Sequence, residues 1–218
     1  MNNFWHKINY TLINVFNLTP SPVEQYNYDR IYFEEFRTMN NWANSQPTLI
    51  NNNRTKGIVM SIKILNDTSF IIPSIISRTT IEGGCVSIKA KISPSKEIAQ
   101  LFTLRRKDSE LGFKIIHNTV HLINPVKAAS VHLFKPNAYH LFEIEIIPED
   151  DMVLWHIDGI TVHKIHFASP ESKHLTIALT PLKKTINAKE FPINCYIKNV
   201  DFLAIIPSKP ITITTKTK

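Results

Sequence analysis

The chain has 218 residues, 43% of them hydrophobic and 20% charged, with a formal charge of +7. That make-up belongs to a folded globule and excludes a disordered chain. No apolar run approaches the roughly 20 residues of a membrane helix, and five Gly with 13 Pro exclude collagen-like and Gly-rich linker architectures.

The first 20 residues carry one cation ahead of an apolar stretch that Asn9, Thr11, Asn14 and Asn17 interrupt. A signal peptide needs an unbroken apolar core and a small-residue cleavage site. None is read here, so the cytoplasm is the expected compartment. A chain trimmed of its leader would read the same and would be extracytoplasmic.

Pro22 to Arg37 is expected to hold at most one short helical turn, because no 3.6-residue repeat is sustained. The strand pattern is far stronger. From Cys85 to Ile92 the chain alternates, with Val86, Ile88, Ala90 and Ile92 on one side and Ser87, Lys89 and Lys91 on the other. Such alternation marks a sheet with one buried and one wetter face. Ile98–Leu104 and Gly112–Ile123 are further β-like runs, followed by Tyr139–Ile147. Met152–Ile157 and Ile160–Ile165 flank Asp158-Gly159, a dipeptide suited to a two-residue hairpin turn. His174–Leu179 and Cys195–Ile206 complete the set.

Many short strands without βαβ alternation predict an all-β sandwich or barrel. One domain is expected over residues 25–207, with an N-terminal extension (1–24) and a C-terminal tail (208–218). The tail's Ile-Thr-Ile-Thr, from Ile211, suits an edge strand. Cys85 and Cys195 are too few for a disulfide-stapled fold. They are read as buried free thiols or as a single bridge.

The basic residues fall in short clusters, Arg105-Arg106-Lys107, Lys183-Lys184 and the tail lysines. None forms a nucleic-acid-binding motif, so surface charge is the expected role and nucleic-acid binding is not expected. Nine histidines raise the question of zinc. His117 and His121, four apart on a strand, would stand about 13 Å apart, which is too far to share an ion.

Four segments resemble the family 16 glycoside hydrolases, in that family's order. Phe33-Glu-Glu-Phe36 with Trp42 resembles its opening segment. Ile75-Ile-Ser-Arg78 followed by Gly84–Ile92 resembles its Gly-x-aromatic-Glu-x-Arg strand. Tyr139-His-Leu-Phe142, Pro148 and Trp155-His-Ile-Asp-Gly159 resemble its Phe-His … Pro … Trp-Tyr-Val-Asp-Gly segment. Asn199–Ile206 resembles its closing strand. The resemblance spans residues 33 to 206 and implies a concanavalin A-like jelly-roll sandwich of two antiparallel sheets.

It also implies a sugar cleft on a concave sheet, lined by the polar face of 85–92, with Ser87 and Lys89 in place of a Glu and an Arg. Such enzymes place aromatic platforms in the strand before the catalytic one. Here Phe102 is the only aromatic of that strand, and it is the expected stacking residue. Trp42 and Trp155 are expected to pack in the core. Family members hold a structural calcium near the chain ends, and Asp201 occupies the position of its aspartate.

The family's catalytic signature is Glu-x-Asp-x-Glu on one strand, where period 2 sets all three side chains on one face. The matching segment is Lys107-Asp-Ser-Glu-Leu-Gly-Phe-Lys-Ile115. With Glu110 as nucleophile, the Asp position is Gly112 and the acid/base position is Lys114, or Ile115 if the strand bulges. Shifted by two, Asp108 becomes the nucleophile, Glu110 the helper and Gly112 the acid/base. Neither register gives the paired carboxylates that a retaining mechanism needs.

The sequence therefore points first to a catalytically degenerate member that binds an oligo- or polysaccharide, with Ser87, Lys89, Phe102 and Lys114 as binding residues. The alternatives are an active β-glucan hydrolase using carboxylates such as Glu82, Glu97, Glu143 or Glu145, and a non-enzymatic protein-interaction sandwich.

Overall fold

A computed structural model describes residues 27–36, 39–44, 50–53, 57–66, 69–106, 109–126, 128–133, 135, 138–168, 171–183 and 193–206. In chain order the strands are β1 (Asn27–Glu34), β2 (Trp42–Asn44), β3 (Ile50–Asn53), β4 (Gly57–Ser61), β5 (Lys63–Asn66) and β6 (Ser69–Ile71). Then come β7 (Ser74–Ile81), β8 (Gly84–Lys91), β9 (Ile98–Arg106), β10 (Ser109–Ile116), β11 (Thr119–Ile123) and β12 (Ala129–His132). The last are β13 (Tyr139–Ile147), β14 (Met152–Ile157), β15 (Ile160–His166), β16 (Lys173–Pro181) and β17 (Asn194–Ile206).

Two antiparallel sheets result. The front sheet runs β12-β11-β10-β9-β16-β7-β2. The back sheet runs β15-β14-β13-β8-β17-β4-β3, and β1 also pairs with β17. β5 and β6 form a separate two-stranded ribbon. This is the all-β sandwich the alternation predicts.

Period-2 patterning decides which side chains face between the sheets. Val86, Ile88 and Ala90 of β8 meet Phe142, Ile144 and Ile146 of β13 in the core, all buried. From the front sheet, Phe102 and Phe113 each set their rings 5.4 Å from Phe142. That aromatic trio joins the layers. Trp155 of β14 is fully buried and its Nε1–H donates to the Gly112 carbonyl at 3.1 Å, linking back sheet to front. Trp42 is buried as well and donates to Glu34 Oε2.

Asp158 and Gly159 both have positive φ, 52° and 77°, the backbone a two-residue hairpin turn of opposite-hand type requires. The 112–123 run is not one strand. His117 (φ 56°) and Asn118 turn the chain between β10 and β11, and without a glycine or proline that turn carried no strong local signal. The short helical turn allowed in 22–37 is not found over 27–34, which form strand β1, and residues 22–26 and 37 lie outside the described residues. The partner of β1 is the second half of β17, and Tyr32 packs its ring 6.0 Å from Phe202. Tertiary pairing outweighs a weak local preference there. The expectations for the first 20 residues and for the tail's edge strand lie outside the described residues.

Both cysteines are free and buried. Cys85 stands opposite Leu203, whereas Cys195 stands opposite Met60 of β4. Burial pushes both thiols up to about 12, with the Glu143 charge adding at Cys85.

His140 ties the Asp158 turn to the segment before β13. Its Nδ1 lies 2.7 Å from Asp158 Oδ2 and its Nε2 lies 2.7 Å from the Lys135 carbonyl. A carbonyl and an ionised carboxylate only accept, so both bonds require both ring nitrogens to carry protons. The Asp158 hydrogen bond raises the imidazole above its ordinary 6.5; burial opposes this, and the Lys135 carbonyl and the Asp158 charge add to it. Asp158 moves the other way. Burial alone would raise its carboxyl, but the His140 bond, the Leu141 N–H and the His140 charge bring it below 3.8.

The histidine's stabilisation is therefore full below the unfolded value near 6.5 and is lost as pH rises through the higher folded value. The aspartate's is full above its unfolded value and is lost as pH falls through the folded one. Wild type should exceed His140→Gln in Tm by more at about pH 6 than at about pH 9. A difference independent of pH would contradict the doubly protonated ring.

Candidate functional site

The front sheet carries the candidate site on its outer face. In β10, Leu111, Phe113 and Ile115 are buried in the core, so Glu110, Gly112, Lys114 and Ile116 point outward. Register with β9 and β16 builds rows across this face. Glu110 faces Arg105, which faces His174; Gly112 faces Thr103, which faces Thr176; Lys114 faces Leu101, which faces Ala178. On the other side, His121 of β11 stands beside Lys114. Glu110 and Lys114 thus share one face with Gly112 between them. Asp108, the alternative nucleophile, lies outside the described residues.

Glu110 is held by one cation. Arg105 Nε lies 3.0 Å from Oε1, and Nη2 donates to Oε2 at 3.4 Å. The two-point contact matches the planar fork of a guanidinium to a carboxylate. Glu110 is also the only Asp or Glu in the seven strands of this sheet. Among the described residues, no strand of this sheet offers a second carboxylate to work opposite it.

Gly112 sits where a side chain cannot stand. A Cβ there would lie 2.2 Å from the Phe102 carbonyl oxygen, 2.8 Å from Thr103 Cα and 2.9 Å from Thr103 Cγ2. Two of those three atoms are backbone, which cannot swing aside.

The remaining expected binding residues do not converge on this face. Phe102 is 0% exposed and packs on Phe142. Its side of β9 is the core side, so it offers no ring to a sugar. Ser87 and Lys89 lie on the outer face of the back sheet, because β8 pairs with β13 and β17. The whole core separates them from Glu110, which corrects the expectation that the 85–92 strand lines the same cleft. Ser87 instead donates to Glu143 Oε1 at 2.8 Å.

The other candidate carboxylates are likewise engaged elsewhere. Glu145 accepts from His156 Nε2 at 2.9 Å, and His156 Nδ1 lies 3.0 Å from Thr161 Oγ1, all in the back sheet. Glu82 accepts from Ser172, and Glu97 faces Lys183 at 3.5 Å.

Asp201 does not fit a calcium shell. Arg30 takes both its oxygens, Nε to Oδ1 at 3.0 Å and Nη2 to Oδ2 at 2.6 Å. The same guanidinium lies 4.8 Å over the Phe33 ring. A calcium ion takes six to eight oxygens, and among the described residues no group of three or more His, Cys, Asp or Glu side chains is placed to hold a metal.

Arg105 and Thr103 are the site residues that sequence reasoning missed. Recognising β9 and β10 as adjacent antiparallel strands would have set residue 105 opposite 110 and residue 103 opposite 112.

The comparisons with solved structures agree with this architecture. The β-glucanase of Bacillus licheniformis superposes with a TM-score of 0.67 at 14% identity, over 78% of this chain and 96% of its own. The laminarinase of Rhodothermus marinus gives 0.71 at 10% identity, over 84% and 100%. A non-specific endo-β-1,3(4)-glucanase of family GH16, SCLam, gives 0.71 at 12%, over 82% and 92%. The fold is that of the family 16 glucanases. The concanavalin A-like sandwich that the sequence resembles is thereby shown. No family model matches the sequence, and no curated protein matches it either.

Proposed function

We propose that this chain is a catalytically retired relative of the glucanases that binds a saccharide on the outer face of its front sheet. The observation that carries the reading is the single acid of that sheet, Glu110, clamped by Arg105. A retaining glycosidase needs two carboxyl groups roughly 5–5.5 Å apart, one to attack the anomeric carbon and one to protonate the leaving oxygen. Lys114 stands in the second place, and its ammonium repels the positive charge that develops on the sugar. Loss of a general acid costs about 10²–10⁴ in rate, and an arginine on the remaining carboxylate weakens it as a nucleophile. The shared fold with β-glucan-active enzymes supports a saccharide as the ligand.

The expected result is binding without cleavage. Laminarin or mixed-linkage β-glucan cast into a native gel should retard the protein. The same polymers should release no reducing ends above the buffer blank. Hydrolysis that Glu110→Gln abolishes would contradict the reading and restore an active enzyme.

One observation favours a second reading, a non-enzymatic protein-interaction sandwich. The front sheet's strands contain Trp42, Phe102 and Phe113 as their only large aromatics, and all three are buried. No ring of these strands is left to stack on a pyranose. Retention of no glycan on an array would select that reading.

A further inference from the structure

We infer that the saccharide taken by the front face is an anionic one, its sugars bearing sulfate or carboxylate groups. This rests on the saccharide-binding reading above and narrows it. Charge is distributed unequally between the two sheets. The strands of the front sheet hold Arg78, Arg105, Arg106, Lys114 and Lys173 against Glu110 alone. Those of the back sheet hold five cations and five acids, the acids being Asp29, Glu34, Glu143, Glu145 and Asp201. Among the strands of the two sheets, the positive balance therefore lies in the front one.

Several front-sheet cations are already committed. Arg105 is matched by Glu110, Arg106 faces Glu171 at 3.4 Å, and buried Lys173 donates to the Glu171 carbonyl. Lys114 has no carboxylate partner among the described residues. It stands on β10, one strand from the middle of the sheet, flanked by exposed His121. Exposed His174 lies two strands from Glu110 in the same row and donates Nδ1–H to the Ser77 carbonyl, which leaves Nε2 for a ligand.

Between these groups lies Thr103. It is fully buried, and its Oγ1 has no hydrogen-bond partner among the described residues. A buried hydroxyl without a partner is uncommon and marks a place where a polar atom is wanted. With the large aromatics of these strands all buried, affinity for a sugar chain on this face must come from polar contacts, and the strongest of these are charge-assisted bonds from cations to anionic oxygens. A face with one neutralised acid and an unpaired lysine selects a chain carrying negative groups over a neutral one.

The test compares one sugar backbone with and without charge. Laminarin, laminarin sulfate, polygalacturonate and a single-stranded oligothymidylate are titrated into the full chain by calorimetry, in dilute buffer and at high salt. Laminarin sulfate should bind at least about tenfold tighter than laminarin in dilute buffer, and the gap should close as salt screens the charges. Polygalacturonate should follow the sulfated chain if carboxylates serve as well as sulfates, and should follow laminarin if sulfate is specifically read. Lys114→Glu should lose about tenfold more affinity for the anionic chain than for laminarin, while Lys164→Glu, on the back sheet, should change neither. Unchanged Tm in both variants confirms that they fold. Equal affinity for laminarin and its sulfate would overturn the inference and leave the saccharide-binding reading standing. Equal affinity for the oligothymidylate would also overturn it, because the face would then read polyanions without regard to sugar. Binding of none of the glycans would end both readings.

Discussion

Replacing Gly112 by alanine should cost about 2 kcal/mol of stability, and replacing it by aspartate about 3 kcal/mol. A single methyl group meets the Phe102 carbonyl at 2.2 Å, so β9 and β10 must part before it fits. Aspartate adds an anion where Gly112 is buried. In a chain of this size, 2 kcal/mol lowers Tm by roughly 4–8 °C. The functional corollary is sharper. The double variant Gly112→Asp/Lys114→Glu rebuilds the Glu-x-Asp-x-Glu spacing on Glu110, yet it should hydrolyse no β-glucan. The middle carboxylate has no room, and Arg105 still holds the first. Alanine at 112 tolerated within about 0.5 kcal/mol, read by denaturant unfolding, would show that the close approach is not a constraint.

Trp155→Ala should cost about 4–5 kcal/mol, the largest effect of any single truncation in this core. The indole is fully buried in the back sheet, and its N–H serves the Gly112 carbonyl of the front sheet. Removing it opens a cavity and leaves that carbonyl without its indole partner. Trp155→Phe keeps most of the volume and should cost about 2 kcal/mol, chiefly for the lost indole hydrogen bond. The ratio of the two separates packing from the hydrogen bond. A Trp155→Ala protein within about 1 kcal/mol of wild type would mean the tryptophan does not join the layers. This residue also bears on the site, because it fixes from beneath the strand segment that carries Glu110 and Lys114 above.

Much of the fold was legible because burial acts through period 2. β13 and β14 appear at the boundaries the alternation predicts, Tyr139–Ile147 and Met152–Ile157. Asp158-Gly159 announces its turn because few residues accept positive φ cheaply. His117-Asn118 does not announce its own, so β10 and β11 read as one run. β1 was missed because its strand character comes from β17, a partner about 170 residues away in sequence.

The site divides along the same line. Residues on one strand could be placed together: Glu110 and Lys114 share a face because they are an even number of residues apart. Residues on different strands could not. Ser87 and Lys89 reach the outer face of the back sheet, and Phe102 turns inward, because sheet membership and facing depend on pairing that no local pattern encodes. Arg105 was visible as a basic residue in a cluster, but its role depends on standing opposite Glu110.

The most direct test of a retired glucanase is an NMR titration of the isotopically labelled chain with a short β-glucan oligosaccharide, kept in the tube for days. Amide shifts are expected along β9, β10 and β16, with the oligosaccharide's anomeric signals unchanged at the end. Shifts confined to β8 and β13, or new reducing-end signals that Glu110→Gln prevents, would contradict it.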